Sequence, residues 1–415
     1  MESPCRRNGA LFRKYAPLLD FIRRHEGTSR ADITRASGLS ATTVGYIVGR
    51  LERSGIVLPG DAAPPGDADF GRPPIPLRLN PDAAYFVGAV FSSERLCVAL
   101  TDFLGRAVRE RSHRFPPGVD RDEVLETLAG LVGETVAESG VPRKKIHAAG
   151  LGAPGVVDAR AGTALGYRRI RRWENVALAQ AVGAGLPFPF FVEHNSGCFA
   201  LGEARAGCAR NCDSVACVIL RTGVSLGLAH RRGRAFPLSA RSAGELGHMT
   251  VVPGGDECWC GNRGCLETVV SHWAFERRVE QLVRQGRLER PPDIGGMGEL
   301  ARSGHTAARE LLEGMFACLG LGISNAVKLL GPEVVVLNGY FNVLGDLLLD
   351  GVKRSLAAHA GDMAAASRLV LSPNGDGIGA AGAAMMAADR LYEVPDAMPP
   401  RPRGAGNARS RKGRG

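Results

Sequence analysis

The run Gly244 to Glu267 reads GELGHMTVVPGGDECWCGNRGCLE and gathers His248, Cys258, Cys260 and Cys265 into one short stretch. Three thiols and one imidazole are the right number and type of ligands for a tetrahedral Zn²⁺ site, with sulfurs near ~2.3 Å from the ion. The Cys-x-Cys step lets two sulfurs reach one ion from an extended turn. Gly261 and Gly264 can take the backbone angles that bring Cys265 back to the same point. Four ligands leave no open coordination position, so such a zinc, one per chain, is structural. It would fix the loop and the two carboxylates that flank it, Glu245 and Glu267. The competing reading is three buried or disulfide-bonded cysteines.

The elements that must carry this loop follow from length and pattern. A chain of 415 residues exceeds one core, so two or three domains are expected. Ten cysteines with no apolar core behind Arg6 and Arg7 point to a reducing compartment, the cytoplasm. No run of ~18 apolar residues is present to span a membrane. The formal charge of +10 is concentrated at the ends. Residues 1–60 hold ten Lys/Arg against five Asp/Glu, and residues 401–415 hold six Lys/Arg and no acid. The intervening chain is close to neutral, which points to an end that meets a polyanion.

At the N-terminal end, Tyr15, Leu18, Leu19 and Ile22 fall at helical spacing. Ser29, with Asp32 three residues on, starts a second short helix with Ile33 and Ala36 facing in. Gly38 breaks the chain, and Ser40 starts a third helix whose inward stripe is Val44, Ile47, Val48 and Leu51. This is a helix-turn-helix pattern. Strands at Ile56–Leu58 and Ile75–Leu79, around a Pro/Gly-rich stretch, add a wing. The third helix opens with small or hydrogen-bonding groups, Ser40, Ala41, Thr42, Thr43 and Tyr46, followed by Arg50. These suit the major groove of double-stranded DNA. Arg30, Arg35 and, at the wing tip, Arg72 are candidate phosphate contacts. A small dimerisation module is the alternative.

The remainder reads as an α/β body. Apolar strands run over Tyr85–Leu100 (two, with a turn between), Ile146–Leu151, Phe190–Val192, Val215–Leu220 and Val334–Leu337. Helical segments cover Glu123–Ser139 and about Ala307–Leu330, and Gly-bearing turns follow strand ends. There is room for two lobes with a cleft. The segment Arg160 to Arg172 is rich in arginine (Arg168, Arg169, Arg171, Arg172), which is a solvated loop or a site for an acidic or phosphorylated ligand.

From about Tyr85 to Ala388 the chain resembles the ROK family of repressors, open reading frames and sugar kinases. The matching residues are Gly152-Ala153-Pro154-Gly155, Trp173-Glu174-Asn175-Val176, Glu193-His194-Asn195, Gly244-Glu245-Leu246-Gly247-His248 and the Cys-x-Cys-Gly-x-x-Gly-Cys-Leu-Glu run ending at Glu267. The winged helix with Gly71-Arg72-Pro73-Pro74 is similar to that of the family's sugar-responsive repressors. The resemblance implies a two-lobed actin-like ATPase fold. It also implies sugar contacts at His194, Asn195, Glu245, His248 and Glu267, and a homodimer or homotetramer.

Departures from the pattern bear on function. The family's kinases carry an Asp-x-Gly-Gly-Thr phosphate loop, where this chain has Val90-Phe91-Ser92-Ser93-Glu94. Their second glycine-rich loop is here Arg221-Thr222-Gly223-Val224-Ser225-Leu226-Gly227, with two glycines lost. Their catalytic base is an Asp, where this chain has Asn195. An amide cannot take a proton, and general-base help is worth ~10²–10⁴-fold. No catalytic residue is therefore assigned. The expected organisation is a winged helix over residues 1–82, a ROK body over 83–395 with its zinc loop at 244–267, and a basic tail over 396–415. The expected function is DNA-binding transcriptional regulation on a two-fold operator, as a repressor answering to a sugar or sugar derivative. An ATP-dependent sugar kinase with an appended DNA-binding domain is the alternative, and a scaffold with neither activity is a third.

Overall fold

The computed structural model describes residues 10–25, 27–60, 75–230, 234–235 and 244–392. Two compact units emerge. One runs to Ala83 and takes in Tyr392, and the other runs from Ala84 to Leu391. Arg72 and the expected basic tail lie outside the described residues.

The first unit is built by local capping. Helix α1 (Ala16–Arg24) buries Leu18, Leu19 and Ile22. Ser29 and Asp32 form a reciprocal capping box at the start of α2 (Arg30–Ser37), satisfying two N–H groups the helix cannot pair itself. Gly38 closes α2 in the left-handed conformation (φ 66°), which permits the sharp turn into α3 (Ala41–Arg53). Ser40 caps α3 through the Thr43 N–H (3.1 Å). Val44, Ile47, Val48 and Leu51 are buried as their spacing requires. Ala36, expected to face inward, is exposed. With only eight residues, α2 turns one face to the core, and Ile33 alone fills it. The wing consists of β1 (Val57–Pro59), one residue later than expected, paired antiparallel with β2 (Leu77–Leu79), the last three residues of its expected run. Leu77 N–H also donates to the Thr28 carbonyl (2.7 Å), tying the wing to the loop before α2.

The second unit repeats one topology twice. Its first sheet has the order β10-β6-β3-β4-β5, from β3 (Tyr85–Phe91), β4 (Arg95–Thr101), β5 (Ala107–Arg114), β6 (Ile146–Ala153) and β10 (Phe190–His194). The second has the order β13-β12-β11-β14-β15, from β11 (Ser214–Leu220), β12 (Val224–His230), β13 (Arg234–Ala235), β14 (Val334–Gly339) and β15 (Arg368–Leu371). In each, a central strand pairs antiparallel with its hairpin partner on one side and parallel with a later strand on the other. Strands β3 and β6 are buried throughout, as expected of parallel strands covered on both faces. A small antiparallel sheet, β7 (Val156–Asp158), β8 (Thr163–Gly166) and β9 (Glu174–Val176), and the short α5 (Leu178–Ala181) add to the core of the first lobe.

Helix α6 (Asn195–Arg205) is sandwiched between the sheets; α12 (Gly377–Tyr392) joins it, and both share one core with Val90 and Ala99 of the first sheet and Val215, Cys217 and Val336 of the second. The approach is close because key positions lack a side chain. A Cβ on Gly88 would stand 1.9 Å from the Ala380 carbonyl oxygen, and one on Gly382 1.8 Å from that of Cys198. The outer face of the first sheet packs on α4 (Arg121–Glu138). The second sheet packs on α8 (His272–Arg284), α9 (Ile294–Arg302), α10 (Thr306–Leu330) and α11 (Asp346–Ala360). Among the described residues α10 is the one helix long and apolar enough to cross a membrane, and 56% of its most apolar window is buried in this core. The ends of β3, β10, β11 and β14 are joined by side-chain contacts, Tyr340 with Glu94, Asp376 with Arg95 and Arg221, and Asn195 with the Phe91 carbonyl.

Candidate functional site

The loop between β13 and α8 brings together His248, Cys258, Cys260 and Cys265, with all four ligand atoms within 4.8 Å of one another. Cys258 Sγ lies 3.5 Å from His248 Nδ1, and Cys260 Sγ lies 3.7 Å from Cys265 Sγ. Ligands at tetrahedral zinc, with Zn–S of ~2.3 Å and Zn–N of ~2.0–2.1 Å, stand roughly 3.6–3.8 Å apart. A disulfide needs ~2.05 Å, and the described cysteines are all free thiols. Gly261 (φ 92°) and Gly264 (φ 72°) turn the loop as the sequence requires. Gly264 is doubly constrained, since a Cβ there would sit 1.7 Å from the Val252 carbonyl oxygen. Burial pushes the Cys265 thiol up to about 12, and hydrogen bonds with Cys260 and Cys258 add to the rise. Without a cation the sulfur stays protonated, so thiolate ligation needs the ion itself. The cluster fits a metal.

His248 turns its other nitrogen toward Glu245, with Nε2 3.7 Å from Oε2. A carboxylate behind a ligating imidazole fixes the ring and its tautomer. Burial raises the Glu245 carboxyl, the neighbouring His248 lowers it, and the charge of Glu267 raises it.

Glu267 starts the short helix α7 (Glu267–Val270) and is buried. Its Oε1 accepts from the Trp259 indole N–H (2.6 Å) and from Arg169 Nη2 (3.1 Å). Its Oε2 accepts from the Val224 N–H (3.1 Å). His194 and Asn195 sit where β10 meets α6. His194 caps the helix, with Nδ1 2.6 Å from Ser196 Oγ, and burial lowers its pKa to about 4, against a smaller opposing effect from the Gly155 backbone. Asn195 Nδ2 lies 3.5 Å from the Phe91 carbonyl oxygen. Two elements carry the five residues expected around a sugar: the loop 244–267 carries Glu245, His248 and Glu267, and the junction of β10 with α6 carries His194 and Asn195.

At the end of β3 the Glu94 carboxylate accepts from Tyr340 Oη (2.7 Å). Asp376 is held between Arg95 (3.3 Å) and Arg221 (2.8 Å), and Arg221 also donates to Asn338 Oδ1 (2.7 Å). These bonds connect the turns after β3, β11 and β14 with the loop before α12. Tyr340 and Asp376 escaped the sequence reading because each is paired with residues hundreds of positions away. Trp259 and Trp273 escaped it too, although with three tryptophans in the chain their nearness to the cysteines was a usable signal.

On the first unit, Ser40, Ala41, Thr42, Thr43 and Tyr46 are exposed along one side of α3. Tyr46 is 60% exposed and Arg50 stands over its ring at 5.9 Å. Arg35 is 78% exposed and contacts Asp32. Arg30 is not free: both Glu52 oxygens accept from its Nη2 at 2.8 Å, which clamps α2 to α3. A contact from Arg30 to phosphate would have to compete with that pair.

The sequence profile of the ROK family matches residues 95–390, and a profile described as winged helix-turn-helix DNA-binding matches residues 18–57. The chain is 27% identical over 350 residues to a putative xylose repressor of Caldicellulosiruptor sp. (strain Rt8B.4), covering 81% of this chain and 85% of that protein. It is 26% identical over 350 residues to the DNA-binding transcriptional dual regulator NagC of Escherichia coli, covering 83% and 84%. A solved ROK family transcriptional regulator, a homologue of the E. coli Mlc protein, superposes with a TM-score of 0.77 at 22% identity, over 93% of this chain and 98% of that one. The ROK family glucokinase of Streptomyces griseus, solved with glucose and AMPPNP, gives 0.64 at 24% identity, over 73% and 99%.

Proposed function

The chain belongs to the ROK family, and from that membership we propose that it is a DNA-binding transcriptional regulator, a sugar-responsive repressor whose kinase-like body senses an effector without phosphorylating it. The observation that carries this reading is the winged helix-turn-helix with the start of α3 left exposed, on a chain whose relatives are repressors. Thr42, Thr43 and Tyr46 offer hydroxyls and an aromatic edge at the end of the helix that reaches base edges. Two copies are needed for a two-fold operator, so the working form is a homodimer or homotetramer in the cytoplasm. The His248, Cys258, Cys260 and Cys265 cluster holds one structural Zn²⁺ and supplies fold, not chemistry.

Loss of phosphoryl transfer is supported by what now fills the strand ends. Asn195 cannot act as base, Glu94 places a carboxylate where phosphates would lie, and Asp376 is committed to two arginines.

The test is selection of duplexes from a random library by the full chain. An enriched two-fold symmetric site is expected. Thr43→Ala or Tyr46→Ala should change base preference. Arg35→Ala should weaken cognate and random duplexes in proportion and lower the salt slope by about one. No enriched site, or a Thr43→Ala effect equal on cognate and random DNA, overturns the assignment of α3 as the reading helix.

A further inference from the structure

A cavity of about 340 Å³ lies against the metal loop, lined by Tyr167, Arg168, Arg169, Glu257, Trp259 and Trp273. That volume is at the small end of ligand sites, in the range of ~300–1,000 Å³. Its walls are three aromatic rings, two guanidinium groups and one carboxylate. The carboxylate is already neutralised, since Glu257 Oε1 lies 2.5 Å from Arg263 Nη1. Arg169 stands 5.9 Å over the Trp273 ring and gives one donor to Glu267. Arg168 is exposed and has no hydrogen-bond or ion-pair partner among the described residues. Its neighbour Arg172 differs, being held by Asp120 and Asp122.

Glu267 decides what chemistry fits. Arg169 and Trp259 occupy one of its oxygens and the Val224 N–H occupies the other. At most one acceptor site is left on Oε2 for a sugar hydroxyl, whereas Arg169 gives Glu267 a single donor and keeps others of its fork for a further acceptor. A ligand that brings its own anion takes those donors without breaking the Arg169–Glu267 pair. The two adjacent guanidiniums match a carboxylate or a phosphate, which accept such forks bidentately. Trp259 and Trp273 offer apolar faces to the rest of a small ring.

Resting on the reading of the body as an effector sensor, we propose that this cavity binds an anionic monosaccharide. Its acid group is held by Arg168 and Arg169, and its ring lies against Trp259 and Trp273. The acid is a carboxylate or a phosphate, and the experiment separates the two.

Calorimetric titration of the full chain would use D-glucuronate, D-galacturonate, glucose 6-phosphate and N-acetylglucosamine 6-phosphate. The controls are glucose, xylose and inorganic phosphate. At least one anionic sugar should bind about tenfold or more tightly than its neutral counterpart. Success confined to the uronates or to the phosphates identifies the acid. Arg168→Ala should weaken that ligand about tenfold while keeping the wild-type Tm, because the side chain is exposed and unpaired. If glucose or xylose binds as tightly as the anionic forms, if inorganic phosphate binds as well as a sugar phosphate, or if Arg168→Ala changes nothing, the anionic site is refuted and the sensor reading stands. If no sugar of either kind binds, the site and the sensor reading fall together.

Discussion

Cys260 offers the sharpest measurement of what holds the loop. It is exposed, so its thiol contributes nothing to packing, and its Sγ lies 3.7 Å from Cys265 Sγ and next to Cys258. In a protein without metal, Cys260→Ser should therefore change stability by about 0.5 kcal/mol at most, as for ordinary surface substitutions. With zinc the result differs. Structural sites in small peptides bind with roughly 10–16 kcal/mol, and losing one of four ligands forfeits on the order of a quarter, ~3 kcal/mol. The unit from Ala84 to Leu391 unfolds with ~2.1 cal/mol/K per residue, or ~0.6 kcal/mol/K, so the loss is a fall of about 5 °C in Tm. Scanning calorimetry of wild type and Cys260→Ser, with and without a chelator, reads this directly. Elemental analysis gives the metal. We expect about one zinc per wild-type chain and a chelator-induced fall in Tm that the variant shows only weakly. An unchanged Tm in Cys260→Ser, together with metal-free and fully folded wild type, refutes the ligand assignment.

Two further outcomes follow from the buried histidines and the strand ends. Burial holds His147 and His194 at about 4, below the unfolded value of ~6.5. Their contribution is fully present above pH ~6.5 and is lost as pH falls toward 4, by up to ~1.4 kcal/mol per pH unit for each. Urea unfolding at pH 7.5 and 5.0 should show this loss, and a dependence as steep in His147→Gln as in wild type would dismiss its role. An ADP-release assay over hexoses and amino sugars should stay at background. Asn195→Asp alone should not rescue it, because Glu94 remains bonded to Tyr340 and Asp376 to Arg95 and Arg221; robust sugar-dependent turnover by the unmodified chain would reverse the reading.

What the sequence determined by itself was everything held by near neighbours. The Ser29–Asp32 box, the Ser40 cap, the Gly38 turn and the stripe from Val44 to Leu51 are set by hydrogen bonds and spacings within a few residues. The cluster of four residues that could hold a metal was legible because one loop carries it, and Gly261 and Gly264 have the backbone freedom that loop needs. The strands of the body were readable as apolar runs because burial on both faces leaves no room for polar residues. Tertiary structure decided the rest. Arg30 is spent on Glu52 and Ala36 faces solvent because only the docking of α2 on α3 fixes which side of a short helix is covered. Arg169 meets Glu267 across 98 positions and Tyr340 meets Glu94 across 246. No local pattern encodes such pairs; they exist because two sheets of one topology fold against a common pair of helices and bring the ends of their strands into contact.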